Sequence, residues 1–227
     1  AASYGTFATM FALYYRDVQG GKGQFIDLSI YEPIFQLLGP QPMAYDQLGI
    51  IQERMGNRSL NNAPRNTYQT LDEHWVAIST NSPSIVKRVL KLCGGEDVAN
   101  DPRFQTPAGR VEFIDEVDGV VANWISQHNL NEVLEKFEEV EAAVGPVYNI
   151  AQIFEDPQYI ARNDIIDLND EDLGKIKMTA GFPFMSETPP EIRHAGPSKG
   201  KHNEEIYCKE LKLGVEDLDL LKEKGVI

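Results

Sequence analysis

Apolar positions in the first 16 residues do not fall on one face: Tyr4, Phe7, Met10, Phe11, Leu13, Tyr14 and Tyr15 run nearly all round a helix. Such a helix suits burial on several sides, as expected for a chain that starts inside a larger fold. Gly20, Gly21 and Gly23 stop it, and residues 24–30 (QFIDLSI) then alternate Phe25, Asp27 and Ser29 against Ile26, Leu28 and Ile30, the period of a strand. A short helix over 31–38 ends at Gly39-Pro40. From there to residue 70, Gly, Asn, Pro and Arg are frequent and no periodicity is sustained, which reads as a long connection able to carry function.

Further on, residues 74–79 (HWVAIS) predict a strand, and Ile85, Val89 and Leu92 predict a helix over 82–93 stopped by Gly94-Gly95. A helix over 108–127 places Val111, Ile114, Val117, Val121 and Trp124 on one stripe, and a second over 131–142 uses Val133, Leu134 and Phe137. Residues 144–148 predict a strand, 150–154 a helical turn, and 165–168 with 175–179 a hairpin around Leu173-Gly174. Pro183, Pro189, Pro190 and Pro197 mark an extended crossing, and helices over 203–211 and 216–224 follow, the last ended by Gly225. Trp75 and Trp124 read as core aromatics, and Asp27 as a structural carboxylate.

Charge narrows the partners. Lys and Arg number 21 against 35 Asp and Glu, a net charge of -14, so attraction to nucleic acid or anionic lipid is opposed overall and neither is expected as a partner. The two cysteines, Cys93 and Cys208, carry no metal or redox spacing and read as reduced thiols of a cytoplasmic protein. No metal site is expected: His202 lies among Lys199, Lys201, Glu204 and Glu205 without ligand spacing, and His74, His128 and His194 have no evident partners.

No stand-alone catalytic motif is present, neither a nucleophile elbow, a P-loop, a zincin helix nor a dinucleotide fingerprint. The local feature that remains is electrostatic. Residues 54–71 hold Arg54, Arg58 and Arg65 and no acid, in a chain otherwise rich in acids. Arg54 and Arg65 are candidates to hold an anionic ligand, and Gly56, Asn57, Asn61 and Asn62 form a candidate substrate loop, since Asn amides bond carbonyls and carboxylates. The competing reading is a solvated loop whose arginines pair with surface acids.

Five segments in order resemble the class III CoA-transferase family, which includes the formyl-CoA and carnitine CoA-transferases and the α-methylacyl-CoA racemases. They are ALYYRDVQGGKGQFIDLSIYE (12–32), ERMGNRSLNNAPRNTYQTLDEHWVAIS (53–79), NDPRFQTPAGR (100–110), GPVYNIAQIFEDPQYIAR (145–162) and HAGPSKGKHNEEI (194–206). The resemblance implies an α/β fold: part of a Rossmann-like large domain over 1–38, a linker and active-site loop over 39–70, a small α+β domain over 71–155, and a return crossing with C-terminal helices over 156–227. It implies an interlocked homodimer in the full-length protein. It also implies transfer of CoA from an acyl-CoA donor to a carboxylic acid through an aspartate expected just before Ala1, so that no catalytic residue lies in these residues. A CoA thioester is then a substrate, with no permanently bound cofactor.

Two departures carry weight. Ser59, Leu60, Asn61 and Asn62 stand where the formyl-CoA enzymes have consecutive glycines, which argues against formyl-CoA and oxalate. GKHNEE departs from the family's G-E-H-T at Lys201 and Asn203, so a role for His202 carries over weakly. A racemase of the same fold needs an acid after the 74–79 strand, where this chain has Thr80-Asn81-Ser82-Pro83. A non-catalytic partner or structural half stays open as an alternative of another class.

Overall fold

Alternation in β2 (Trp75–Ser79) decides where the core lies: Val76 and Ile78 are buried while Trp75, Ala77 and Ser79 face outward. The computed structural model describes residues 1–227. β1 (Arg65–Gln69) pairs antiparallel with β2, Arg65 opposite Ser79, and β3 (Val144–Pro146) pairs antiparallel on the other edge, giving the order β1-β2-β3. One face of this sheet is covered by α4 (Pro83–Ala99), α6 (Ile114–Ile125) and α7 (Leu130–Glu139), whose apolar stripes meet it through Val89, Val121, Ile125, Val133 and Phe137. A second cluster joins Ala63, Val86, Leu90, Ala99, Phe104 and Val117, tying the chain just before β1 to α4 and α6. All the buried residues except Pro33 and Leu218 lie between Asn62 and Ala142.

The local chemistry sets the breaks between these helices. Gly95 interrupts α4 at φ 81°, ψ −175°, after which the helix resumes to Ala99. Thr106 caps α5 (Pro107–Glu112) by accepting from the Gly109 N–H, and Phe113 at φ −105°, ψ 36° separates it from α6. Asn129 and Glu132 make a reciprocal capping box at the start of α7. The Asp72 carboxylate, in the turn between β1 and β2, also accepts from the first N–H of α7, at 3.1 Å.

Outside this core the chain is spread out. α1 (Ala2–Asp17), α2 (Glu32–Gln36) and α3 (Gln41–Leu48) precede it; α8 (Ile150–Glu155), α9 (Pro157–Arg162), the hairpin β4 (Ile165–Asp170) with β5 (Gly174–Thr179), a π-helical stretch Glu204–Glu210 and α10 (Val215–Glu223) follow. The class is mixed helix and sheet as expected, and both sheets are antiparallel.

Four local expectations are corrected. Residues 24–30 alternate as a strand would but form none, because a strand needs a hydrogen-bonded neighbour and none lies alongside. The 39–70 stretch holds α3 and β1, neither of which has the apolar stripe that periodicity detects. The single helix over 108–127 is two, divided at Phe113. Trp75 is 46% exposed on the outward face of β2, whereas Trp124 packs on Phe137 and stacks on His128 at 3.9 Å between ring centroids.

Candidate functional site

The acid-free run from Arg54 leads into the first strand of the sheet, and its side chains divide by what they touch. Gly56 turns the chain at φ 63°, a left-handed conformation that suits glycine. Asn57 then reaches forward to β1, its Nδ2 donating to Thr67 Oγ1 at 2.7 Å, which leaves its carbonyl oxygen free. Arg54 and Arg65 are exposed and have no carboxylate partner, the arrangement of cations able to take up an external anion.

Arg58 pairs with acids, as the competing reading had it, but only one of the two lies at the surface. Its Nη2 meets Asp115 Oδ1 at 2.8 Å and its Nε donates to Asp118 Oδ2 at 2.8 Å. Those carboxylates, together with their hydrogen bonds, hold the guanidinium pKa above its ordinary value. Asp118 is nearly buried and also accepts from Asn66 Nδ2 at 3.0 Å and from the Tyr68 hydroxyl at 2.8 Å. Burial first, and the Asp118 charge second, push the Tyr68 phenol far above its usual range, so it stays a neutral donor.

Asn61 is exposed, with its N–H bonded only to Ser59 Oγ at 3.2 Å. Asn62 is buried instead. Its Nδ2 donates to Asn81 Oδ1 at 2.9 Å, and its Oδ1 accepts from Arg110 Nη2 at 3.0 Å. Of the candidate loop, Gly56, Asn57 and Asn61 therefore face solvent, and Asn62 faces the interior. The stretch after β2 is structural as well: Thr80 Oγ1 donates to the Pro64 carbonyl at 3.0 Å, and Asn81 receives Asn62.

Arg110 and Asp118 were not singled out in the sequence. Asp118 had a visible signal: a carboxylate four residues after Ile114 and three before Val121, on an otherwise apolar stripe. Arg110 had none, since charged residues at a helix end are ordinary. His202 lines a small polar cleft of about 120 Å³ with His194, Arg193, Lys201 and Asp170, away from the loop. No group of three His, Cys, Asp or Glu side chains is placed to hold a metal ion. Burial pushes the Cys93 thiol up to about 12, so it is inert as a nucleophile near neutral pH.

Residues 1–203 match the profile of CoA-transferase family III. The chain belongs to that family. Among its relatives, the succinyl-CoA–D-citramalate CoA-transferase of Chloroflexus aurantiacus is 36% identical over 227 residues, covering 100% of this chain and 56% of the relative. The beta subunit of that organism's succinyl-CoA–L-malate CoA-transferase is 32% identical over 226 residues, 99% of this chain and 56% of that one. A crystal structure of a CaiB/BaiF family protein from Brucella suis superposes with a TM-score of 0.70 at 25% identity, covering 91% of this chain and 53% of the other. The chain thus spans about half the length of the curated relatives it matches.

Proposed function

We propose that these residues are part of a CoA-transferase that moves CoA from succinyl-CoA, as donor, to a hydroxydicarboxylic acid. The observation that carries this is the 36% identity to a succinyl-CoA–D-citramalate CoA-transferase along all 227 residues. The nucleophile in this reading is an aspartate ahead of Ala1. Its carboxylate attacks the thioester carbonyl and expels CoA thiolate, leaving a mixed anhydride. The thiolate then attacks the aspartyl carbonyl, releasing succinate and leaving an aspartyl thioester. The acceptor carboxylate repeats the two exchanges in reverse and regenerates the aspartate. CoA esters are substrates here, and no resident cofactor takes part.

Both adducts are activated toward water, so a loop that covers them has a clear use. Gly56, Asn57 and Asn61 supply such a cover, with Arg54 and Arg65 free to grip a phosphate or a carboxylate. An α-proton abstraction of the racemase type is disfavoured because Thr80, Asn81 and Ser82 offer no acid and the first two are tied to the loop. The reading keeps the homodimer that the family resemblance implies and the cytoplasmic setting that the two reduced cysteines suggest.

The test compares this chain with the enzyme expressed from the whole reading frame that contains it, each given succinyl-CoA and a panel of dicarboxylic acids, with CoA esters separated by chromatography. The 227-residue chain alone is expected to be inactive, and the longer enzyme active. In the longer enzyme, Arg54→Ala or Arg65→Ala should raise KM about tenfold to a hundredfold, whereas Asn57→Ala should mainly lower kcat. Turnover by the chain alone would show the aspartate misplaced. Absence of transfer by the longer enzyme with every acid would overturn the reading itself.

A further inference from the structure

The substrate loop is tied to the helices at two points, and the second tie is chemically unusual. Arg110, at the end of α5, is 1% exposed and has no carboxylate partner. Its guanidinium spends its donors on oxygens from two separate segments: Nε on the Ala63 carbonyl at 2.7 Å, Nη2 on Asn62 Oδ1 at 3.0 Å, and Nη1 on the Phe104 carbonyl at 3.0 Å. Burial without a counter-charge lowers its pKa. A buried cation facing only neutral oxygens is an expensive way to fill space, since an apolar side chain would pack there at less cost. What the planar fork does, and an apolar side chain cannot, is hold three acceptors at fixed positions at once.

The first tie is Arg58 on Asp115 and Asp118. Arg110 sits on α5 and the two acids on α6, and only Phe113 separates those helices. Both ends of the loop are therefore fastened to one helical wall. Between them lie Ser59, Leu60 and Asn61, whose sole internal bond is the one from the Asn61 N–H to Ser59 Oγ.

We propose that Arg110 is a positioning residue, which acts through Asn62 and Ala63 and, with the Arg58–Asp118 pair, holds Ser59–Asn61 as a short flap of fixed length over the reacting adduct. The role rests on the CoA-transferase reading. It differs from substrate binding because Arg110 is buried, with its donors committed to Asn62, Ala63 and Phe104. Its loss should therefore act on the step the flap shields and leave the affinity for the CoA ester nearly unchanged.

The experiment uses the enzyme expressed from the whole reading frame. Arg110→Ala leaves a buried gap and can fail to fold, so Asn62→Ala is the working variant and Asn62→Asp, which restores an acceptor for Arg110, is its rescue. Trypsin cleavage mapped by mass spectrometry reports the tie directly, because Arg58-Ser59 is itself a cleavage site and Arg88-Val89, in the core part of α4, is an internal control. For Asn62→Ala, cleavage after Arg58 should rise about tenfold with cleavage after Arg88 unchanged, and kcat should fall about tenfold with KM within about threefold. Asn62→Asp should return both toward the parent. Unchanged cleavage after Arg58, or an equal rise at both sites, would overturn the tie. A loosened loop with unchanged kcat would overturn the positioning role. A parent enzyme that transfers no CoA would overturn the function reading and the positioning role with it, whereas the tie is judged by the cleavage pattern alone.

Discussion

Asp118 accepts three hydrogen bonds while almost withdrawn from solvent, so each donor around it matters out of proportion to its size. Tyr68 is the most instructive of the three because its hydroxyl must stay protonated. Its folded-state pKa is raised above the ordinary 10.0, by burial first and by the Asp118 charge second. A raised pKa contributes stability that is present in full below the unfolded value and is lost as pH climbs past it. Tyr68→Phe should therefore cost about 1 kcal/mol at neutral pH, and that cost should shrink above about pH 10, where the unfolded wild-type phenol ionises and the folded one does not. Urea midpoints across pH 7 to pH 11 decide it. A cost that stays constant over that range would show that Tyr68 is not held neutral by this site. At this scale the sequence was only partly readable. The acid-free run drew attention to Arg54, Arg58 and Arg65, but nothing in it said which arginine would be taken by acids from α6, because that pairing spans 60 residues of chain. Asn62 reads like its exposed neighbours for the same reason: the buried guanidinium that claims it comes from residue 110.

Two glycines mark how far helical periodicity reaches. Gly94-Gly95 was expected to end a helix, and the backbone does leave helical angles at Gly95, but α4 resumes because Ala99 is buried in the second core cluster with Leu90 and Phe104. Periodicity reports the first half of such a helix and not the packing that recovers the second. At φ 81°, ψ −175° the backbone is in a region open essentially to glycine alone, so Gly95→Ala should destabilise by about 1–3 kcal/mol. Gly119 is the contrast: it lies inside α6, exposed, with nothing within 4 Å of an added Cβ. Gly119→Ala should stabilise by about 0.5–1 kcal/mol, since the gain is helix propensity without a clash. Thermal unfolding of the two variants side by side is the measurement, and the same sign for both would contradict the backbone account. Among the core elements, α4, α6, α7 and β2 are legible because each buries an apolar stripe or face, whereas α1 and the β4–β5 hairpin are legible from their pattern without burying any residue. The elements that are not legible, α3 and β1, bury too little for a stripe to exist.

Surface area brings the whole molecule into view. A folded monomer of 25.5 kDa exposes about 10,400 Å², whereas this chain exposes 16876 Å², an excess of about 6,500 Å². The excess is strongly apolar: Phe25 and Phe182 are about nine-tenths exposed, and α1 has no buried residue although it carries Phe7 and Phe11, stacked at 5.8 Å. Stable protein interfaces bury about 1,600 Å² in total, so this surface is far larger than one ordinary contact needs. Patches of this size on a lone chain drive association or dye binding. The chain should therefore associate with rising concentration in light scattering and enhance the fluorescence of a hydrophobic dye. Phe7→Lys with Phe11→Lys should weaken both signals. The unfolding temperature of the β1-β2-β3 core should barely move, because α1 contributes no residue to either core cluster. A dilute-to-concentrated series that stays monomeric and dye-silent would contradict this account of the exposed face. A pair of lysines that lowered the core's unfolding temperature by more than a few degrees would instead show that α1 packs on the core in solution.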